Sequence, residues 1–174
     1  MIQADWEACV RFHGHACGSL VIGCRAVEYA RELLGIEAAS VDEELVCIAE
    51  NDACGVDAIQ ALFSCTIGKG NLIFHMTGKQ AFTFYDRRSG KSVRLLIRAT
   101  PDYNQEERLN WLINADCHAI FEVKKAKLPV PEEARIFKTC TCSQCGERAA
   151  ENYMHLENGA LLCADCWKPY GRGL

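Results

Sequence analysis

The sequence predicts an α+β protein, in which a core of mixed helices and antiparallel strands is followed by a small zinc-ribbon-like domain with four cysteines. Three observations support this fold class. Helical and strand-like patterns occur over residues 1–134 without the regular alternation of a parallel α/β fold. Two Cys-x-x-Cys pairs lie near the C-terminal end, and Pro129 and Pro131 mark a linker before them. The predicted domains are therefore a core at residues 1–134 and a metal-binding domain at residues 138–170.

The first 35 residues predict two helices, which are separated at His13-Gly14-His15. In the second helix, apolar residues recur at steps of three and four, as expected of a helix with one buried face. That face consists of Cys17, Leu20, Val21, Cys24, Val27 and Ala30. Gly35 is expected to end the helix.

The middle of the chain predicts several strands and a helix that begins near Cys54. Residues 45–50 form a nearly continuous apolar run, which is typical of a buried strand, and residues 56–63 predict the helix. Strand character returns at residues 72–75, 81–85 and 92–99. The turn Arg88-Ser89-Gly90-Lys91 predicts a hairpin between the last two of these. A polar helix over residues 105–115 and an extended segment over 119–128 complete the core.

Composition and charge exclude several classes of protein. The chain has 174 residues, a net charge of -4 and 12 cysteines, and its last 37 residues are neutral. Nucleic-acid binding is not expected, because binders of this class usually carry a basic face. No apolar stretch approaches the roughly 20 residues of a membrane helix, and no secretory signal is expected. We therefore expect a cytoplasmic protein whose cysteines are thiols, metal ligands or redox groups.

The C-terminal cysteines predict a structural zinc site. Two Cys-x-x-Cys pairs are separated by 17 residues, a spacing that brings two such pairs to one zinc ion. The predicted ligands are Cys142, Cys145, Cys163 and Cys166. Four thiolates would close the coordination sphere, so this zinc is expected to be structural, with free thiols or an iron site as the alternatives. Cys140 lies outside the pairs and is dispensable.

A second group of potential ligands lies in the motif His13-Gly14-His15-Ala16-Cys17. His13 and Cys17 are four residues apart and would share a helical face, whereas His15 and Cys17 would share a side only in an extended turn. Either pair could chelate zinc, iron or nickel. The alternative is a capped helix start with a packed cysteine.

Four motifs resemble the family of the formylmethanofuran dehydrogenase E subunit. They are Phe12-His13-Gly14-His15-Ala16-Cys17-Gly18-Ser19-Leu20, Ala49-Glu50-Asn51-Asp52-Ala53-Cys54-Gly55-Val56-Asp57-Ala58-Ile59-Gln60, Cys65-Thr66-Ile67-Gly68-Lys69-Gly70-Asn71-Leu72 and Gly78-Lys79-Gln80-Ala81-Phe82-Thr83-Phe84-Tyr85. The resemblance implies an α+β core, an intertwined homodimer, and association as a non-catalytic subunit with a molybdenum or tungsten enzyme. The recurrent His and Cys positions of the family correspond here to His13, His15, Cys17, Cys54 and Cys65. The resemblance therefore implies a core site for a second transition metal, and zinc is the expected metal. Gly18 departs from the proline that the family commonly has there.

The residues leave three functions open. The first is a metal-binding accessory protein with a partly open core site, at which Asp57 and Gln60, one helical turn apart, would orient a ligand histidine. The second is a thiol-dependent enzyme that uses Cys54 or Cys17 as a nucleophile or redox group, with His13 or His15 as base for Cys17. A position near a helix N-terminus would favour the thiolate of Cys54. The third is a regulatory adaptor that docks through the zinc domain.

Overall fold

The computed structural model describes residues 2–99 and 102–171. The chain divides into two compact units, Met1–Ala134 and Arg135–Leu174. None of the twelve cysteines, all of which are described, forms a disulfide bond.

The larger unit is built on a five-stranded sheet with the order β2-β1-β3-β4-β5. Its strands are β1 Leu45–Ala49, β2 Leu72–Phe74, β3 Ala81–Asp86, β4 Lys91–Ile97 and β5 Phe121–Lys124. The β3–β4 hairpin predicted from the turn sequence is present, with Asp86 paired to Lys91. The predicted antiparallel arrangement is wrong for one pair, because β1 and β2 are parallel. A helix connects these two strands and returns the chain to the same end of the sheet, as parallel pairing requires.

Within the described residues, five helices accompany the sheet, which confirms the α+β class. They are α1 Gln3–His13, α2 Gly18–Leu34, α3 Gly55–Phe63, α4 Gln105–Asn114 and the single turn α5 Cys117–Ile120. The first two end at Gly14 and Gly35, whose φ angles of 94° and 72° lie in the left-handed region that glycine adopts without strain. Asn104 starts α4 with a reciprocal capping box to Glu107. Among the described residues, no helix has the length and apolar character needed to cross a membrane.

Close packing of two helices brings the N-terminal motif next to the start of α3. A Cβ atom added to Gly23 of α2 would lie 2.1 Å from the carbonyl oxygen of Gly55, and one added to Gly55 would lie 3.0 Å from the carbonyl oxygen of Ser19. The two backbones therefore touch without a side chain between them. This contact holds Cys54, which immediately precedes α3, beside the residues that begin α2.

The smaller unit consists of two hairpins with very little apolar core. Its strands are β6 Thr139–Thr141, β7 Arg148–Ala150, β8 Met154–Glu157 and β9 Ala160–Cys163, and a 3₁₀ turn at Glu151–Tyr153 joins the hairpins. Among the described residues, its buried apolar cluster consists of Cys142, Leu162 and Cys163. Two of these three are cysteines, so the thiols themselves form the centre of the unit.

Candidate metal centres

The four predicted cysteines of the smaller unit converge on one point. Their Sγ atoms all lie within 4.8 Å of one another, and they belong to Cys142, Cys145, Cys163 and Cys166. Two tight turns produce this convergence, in which the Gly146 amide donates to the Cys142 carbonyl over 3.0 Å and the Trp167 amide donates to the Cys163 carbonyl over 2.9 Å. Gly146 has a φ of 75°, so the first turn requires the left-handed backbone that glycine favours. Such a set could hold one ion in a closed tetrahedral site.

The electrostatics of this cluster favour one thiolate and oppose several. Backbone amides of Cys145 and Cys163 point at the sulfur of Cys142 and lower the pKa of that thiol to about 6. The distance from the Cys163 nitrogen to the Cys142 sulfur is 3.4 Å. In contrast, the pKa of Cys166 is raised to about 12, first by its interaction with the Cys163 thiol and then by burial. Further thiolates therefore require a cation to offset their repulsion, and a bound metal ion supplies that charge.

A second ligand cluster lies at the junction of α1 and α2. His13, His15 and Cys17 each offer a ligand atom, and these atoms lie within 4.8 Å of one another. The Cys17 sulfur is 4.0 Å from Nε2 of His13, and the two imidazole rings have centroids 4.4 Å apart. His13 and Cys17 do not share a helical face as predicted, because Gly14 ends α1 and Cys17 is the extended N-cap of α2. The turn between the helices brings the three side chains together instead.

Asp57 holds the ring of His13, one of the three potential ligands, and the sequence predicts such a contact. Its Oδ2 accepts a hydrogen bond from Nδ1 of His13 at 2.7 Å, and its Oδ1 accepts one from Nε2 of Gln60 at 3.1 Å. Since a carboxylate oxygen accepts this hydrogen bond, Nδ1 of His13 carries a proton, and in the neutral ring Nε2 keeps its lone pair. That nitrogen is the one nearer Cys17. A carboxylate behind a ligand histidine is the usual second layer of a metal site.

The two remaining cysteines predicted for the core site, Cys54 and Cys65, have different surroundings. The Cys54 thiol interacts with that of Cys17, but Cys54 does not belong to the mutually close set. Cys65 lies outside the cluster. Its side chain is fully buried, and its sulfur donates to the Leu45 carbonyl at 3.6 Å. Burial raises the pKa of Cys65 to about 12. The cluster therefore consists of two histidines and Cys17, with Cys54 adjacent.

The surroundings of Cys54 oppose the predicted thiolate. Cys54 does precede the first turn of α3, as the sequence indicates. Its pKa is nevertheless raised, first by burial and then by the hydrogen bond to the Cys17 thiol. Both effects oppose a role for Cys54 as a nucleophile at neutral pH.

A cavity of about 420 Å³ next to Cys17 was not predicted from the sequence. Its polar lining residues include Ser19 in the first turn of α2, Gln80 just before β3, and Arg108 on α4. Ser19 and Gln80 belong to two of the motifs that resemble the family, whereas Arg108 lies outside them. The three residues are far apart in the chain, and only the fold brings them to one cavity.

Comparison with known proteins decides the family. Residues 12–157 match the family described as "FmdE, Molybdenum formylmethanofuran dehydrogenase operon". The chain belongs to the FmdE family. The matched residues include the core ligand cluster and the first pair of tail cysteines, so the resemblance seen in the motifs is confirmed.

Two individual proteins resemble this FmdE family member. One is a solved structure from Syntrophus aciditrophicus, a protein like the E subunit (FmdE) of tungsten formylmethanofuran dehydrogenase, with a TM-score of 0.67 and 25% identity over 91% of this chain and 88% of that one. The other is a "Probable S-adenosyl-L-methionine-binding protein" from Archaeoglobus fulgidus, which is 29% identical over 94% of this chain. The match covers 53% of that curated relative, so the chain spans about half of its length.

Proposed function

We propose that this FmdE family member is a metal-binding accessory protein with a partly open transition-metal site in its core and a structural zinc in its smaller unit. One observation supports the core site above all others. His13, His15 and Cys17 converge within 4.8 Å at the junction of two helices, and Asp57 fixes the ring of His13 so that Nε2 is the free nitrogen. If this region were only a capped helix start with a packed cysteine, nothing would require the three side chains to converge or a carboxylate to hold the ring of His13.

The donor set suits zinc. Two imidazole nitrogens and one thiolate form a mixed set that zinc binds in tetrahedral geometry, and three protein ligands leave one position open. When bound, such an ion supplies Lewis acidity to a small ligand at that position. In the smaller unit, the four thiols fill the coordination sphere, so we assign that zinc a structural role.

The accessory role rests on the family and on the absence of support for thiol catalysis. The family description refers to the operon of a molybdenum formylmethanofuran dehydrogenase. We therefore propose a homodimer that serves as a non-catalytic protein partner of a molybdenum or tungsten enzyme in the cytoplasm. The raised pKa of Cys54 argues against the thiol-enzyme alternative. The neutral charge of the last 37 residues argues against nucleic acid as a partner.

Replacing Cys17 should remove the core ion alone. We expect elemental analysis of the purified full chain to return two ions per protein chain, and the Cys17→Ser variant to retain one, because a hydroxyl is a poor ligand for zinc. Cys65→Ser is the matched control and should keep both ions, since the hydroxyl that replaces the thiol could still donate to the Leu45 carbonyl. Two ions in Cys17→Ser, or one ion in the wild-type protein, would reject the core site.

Replacing Asp57 should weaken the core site without abolishing it. In Asp57→Asn the uncharged amide can present either its oxygen or its NH2 group to Nδ1 of His13, so it no longer fixes the proton there, and the affinity for the core ion should fall by about 10- to 100-fold. Competition with a chromophoric chelator measures this affinity. Asp52→Asn, an exposed carboxylate in the preceding loop, should have the wild-type affinity. Equal affinities in the two variants would show that Asp57 has no part in the site.

A second candidate function is the binding of S-adenosyl-L-methionine. The name of the Archaeoglobus fulgidus relative suggests it, and the cavity of about 420 Å³ beside Cys17 is of a size that binds small molecules. Calorimetric titration of the full chain with S-adenosyl-L-methionine tests this function. Saturable heat would support it, and the absence of heat at millimolar ligand would exclude it.

A further inference from the structure

The cavity beside Cys17 has an apolar wall and a few polar groups, the usual composition of a small-molecule site. It lies between the first turn of α2, the residue before β3, and one side of α4. The apolar part of its lining consists of Ala16, Ile22, Leu109 and Leu112. A ligand for this cavity must therefore bring an apolar portion.

Two residues that line the cavity each carry a buried oxygen atom without a hydrogen-bond partner among the described residues. Oγ of Ser19 and Oε1 of Gln80 are both inaccessible to solvent, and neither has a partner among the described residues. The backbone of Gln80 is held in place, because its carbonyl accepts a hydrogen bond from Ile97 at 3.0 Å. Unpartnered buried polar atoms oppose folding, so their presence at one cavity indicates a ligand that satisfies them. The carbonyl oxygen of the Gln80 side chain requires an N–H or O–H donor.

A positive charge lies at the same cavity. Arg108 lines it from α4, and among the described residues its guanidinium makes no ion pair. A planar guanidinium pairs best with a carboxylate, which it can hold through two hydrogen bonds. The N-terminal end of α2 adds to the positive potential, since the helix dipole favours anions there.

We propose that this cavity binds an amino-acid-type ligand, in which the carboxylate pairs with Arg108, the amino group donates to Gln80 once that side chain turns its oxygen toward the cavity, and an apolar side chain packs against Ile22, Leu109 and Leu112. The hydroxyl of Ser19 completes the polar contacts. Cys17 lines the cavity and also belongs to the core ligand cluster. The ligand would therefore lie next to the open position of the core ion, and this last point alone rests on the proposed function.

Matched small molecules test the ligand class. L-Phenylalanine should bind the full chain with a Kd of about 5 mM or tighter, the range expected of a ligand of its size, and should shift the amide NMR signals of α2 and α4 residues at the cavity. Phenethylamine lacks the carboxylate and 3-phenylpropionate lacks the amino group, so both should bind about tenfold or more weakly. No binding of L-phenylalanine and L-leucine at about 20 mM, several times that Kd, would overturn the proposal. Equal binding of all three phenyl compounds would also overturn it.

Variants of the lining residues separate binding from structure. Ser19→Ala and Gln80→Leu should weaken L-phenylalanine binding about tenfold, yet leave the thermal midpoint of the free protein unchanged or raised, because each removes an unpartnered buried oxygen. Arg108→Gln should weaken binding by a similar factor. Arg88→Gln, in the exposed β3–β4 turn, is the control and should not. A lowered midpoint in Ser19→Ala and Gln80→Leu would mean that these oxygens stabilise the fold, and the proposal would fail.

The experiment distinguishes failure of this proposal from failure of the core metal site. Binding is measured in chelator-treated protein as well as in metal-loaded protein, since the contacts to Arg108, Gln80 and Ser19 do not need the ion. Binding to both forms supports the cavity as an amino-acid site even if metal analysis finds no core ion. Retention of the core ion with no binding to either form overturns the cavity proposal and leaves the metal site intact.

Discussion

The Cys163→Ser variant is expected to lose one ion per chain and the folded structure of the smaller unit. That unit buries only one apolar side chain other than cysteine among its described residues, Leu162. A core of this size cannot offset the conformational entropy of about 40 residues. In zinc-finger peptides, the binding of structural zinc contributes about 10–16 kcal/mol to the free energy of folding, which is enough to stabilise a unit with so small a core.

Amide proton exchange is the measurement for this prediction. Protected amides of the β8–β9 hairpin, such as those that pair Met154 with Cys163, should exchange at unfolded rates in Cys163→Ser. Cys140→Ser is the matched control, because Cys140 lies in β6 outside the four-thiol cluster, and it should keep both the ion and the protection. A hairpin that stays protected in metal-free Cys163→Ser protein would show that the unit does not depend on zinc.

The Gly23→Ala variant should lower the stability of the larger unit substantially. Helix propensity alone predicts the opposite, since alanine is favoured over glycine by about 1 kcal/mol inside a helix. At Gly23, however, a Cβ would lie 2.1 Å from the carbonyl oxygen of Gly55, and backbone cannot move aside as a flexible side chain can. We expect a loss of about 3 kcal/mol or more in the free energy of unfolding, at the upper end of the cost of overpacking.

Chemical denaturation of both the variant and a matched control measures this effect. Gly18→Ala changes the same helix at a position where an added Cβ meets nothing within 4 Å, and it should leave stability within about 0.5 kcal/mol of wild type or improve it. Gly23→Ala should also bind the core ion less tightly, because α3 carries Asp57, which holds the ring of His13. Equal stability of Gly23→Ala and Gly18→Ala would contradict the close helix packing.

Local sequence signals predicted most of the elements. Gly35 predicted the end of α2, and the turn at Ser89-Gly90 predicted the β3–β4 hairpin. The apolar residues of α2 recur with a helical period because they form one buried face. The parallel pairing of β1 with β2 was not predictable, because strand direction depends on the path of the connecting helix and not on the strands themselves. The two Cys-x-x-Cys pairs predicted the four-cysteine cluster of the smaller unit for a similarly local reason, because each pair lies in one turn.

The core site was predicted only in part. The motif His13-Gly14-His15-Ala16-Cys17 contains all three converging ligands, and Asp57 was expected to orient a histidine. Cys65 was grouped with them by resemblance, whereas its position against Leu45 follows from how β1 packs, which no motif encodes. The pKa of Cys54 depends on burial and on the Cys17 thiol, both of which are tertiary contacts. The cavity involves α4, which the sequence marks only as a polar helix.

The most direct test of the core site is an anomalous-scattering map from crystals of the full chain, recorded above and below the zinc absorption edge. We expect two peaks per chain that disappear below the edge. One should lie at about 2.3 Å from the four sulfurs of the smaller unit, and the other at about 2.0–2.3 Å from a nitrogen of His13, a nitrogen of His15 and the sulfur of Cys17. A map with density in the smaller unit and none at the junction of α1 and α2 would contradict the core metal site.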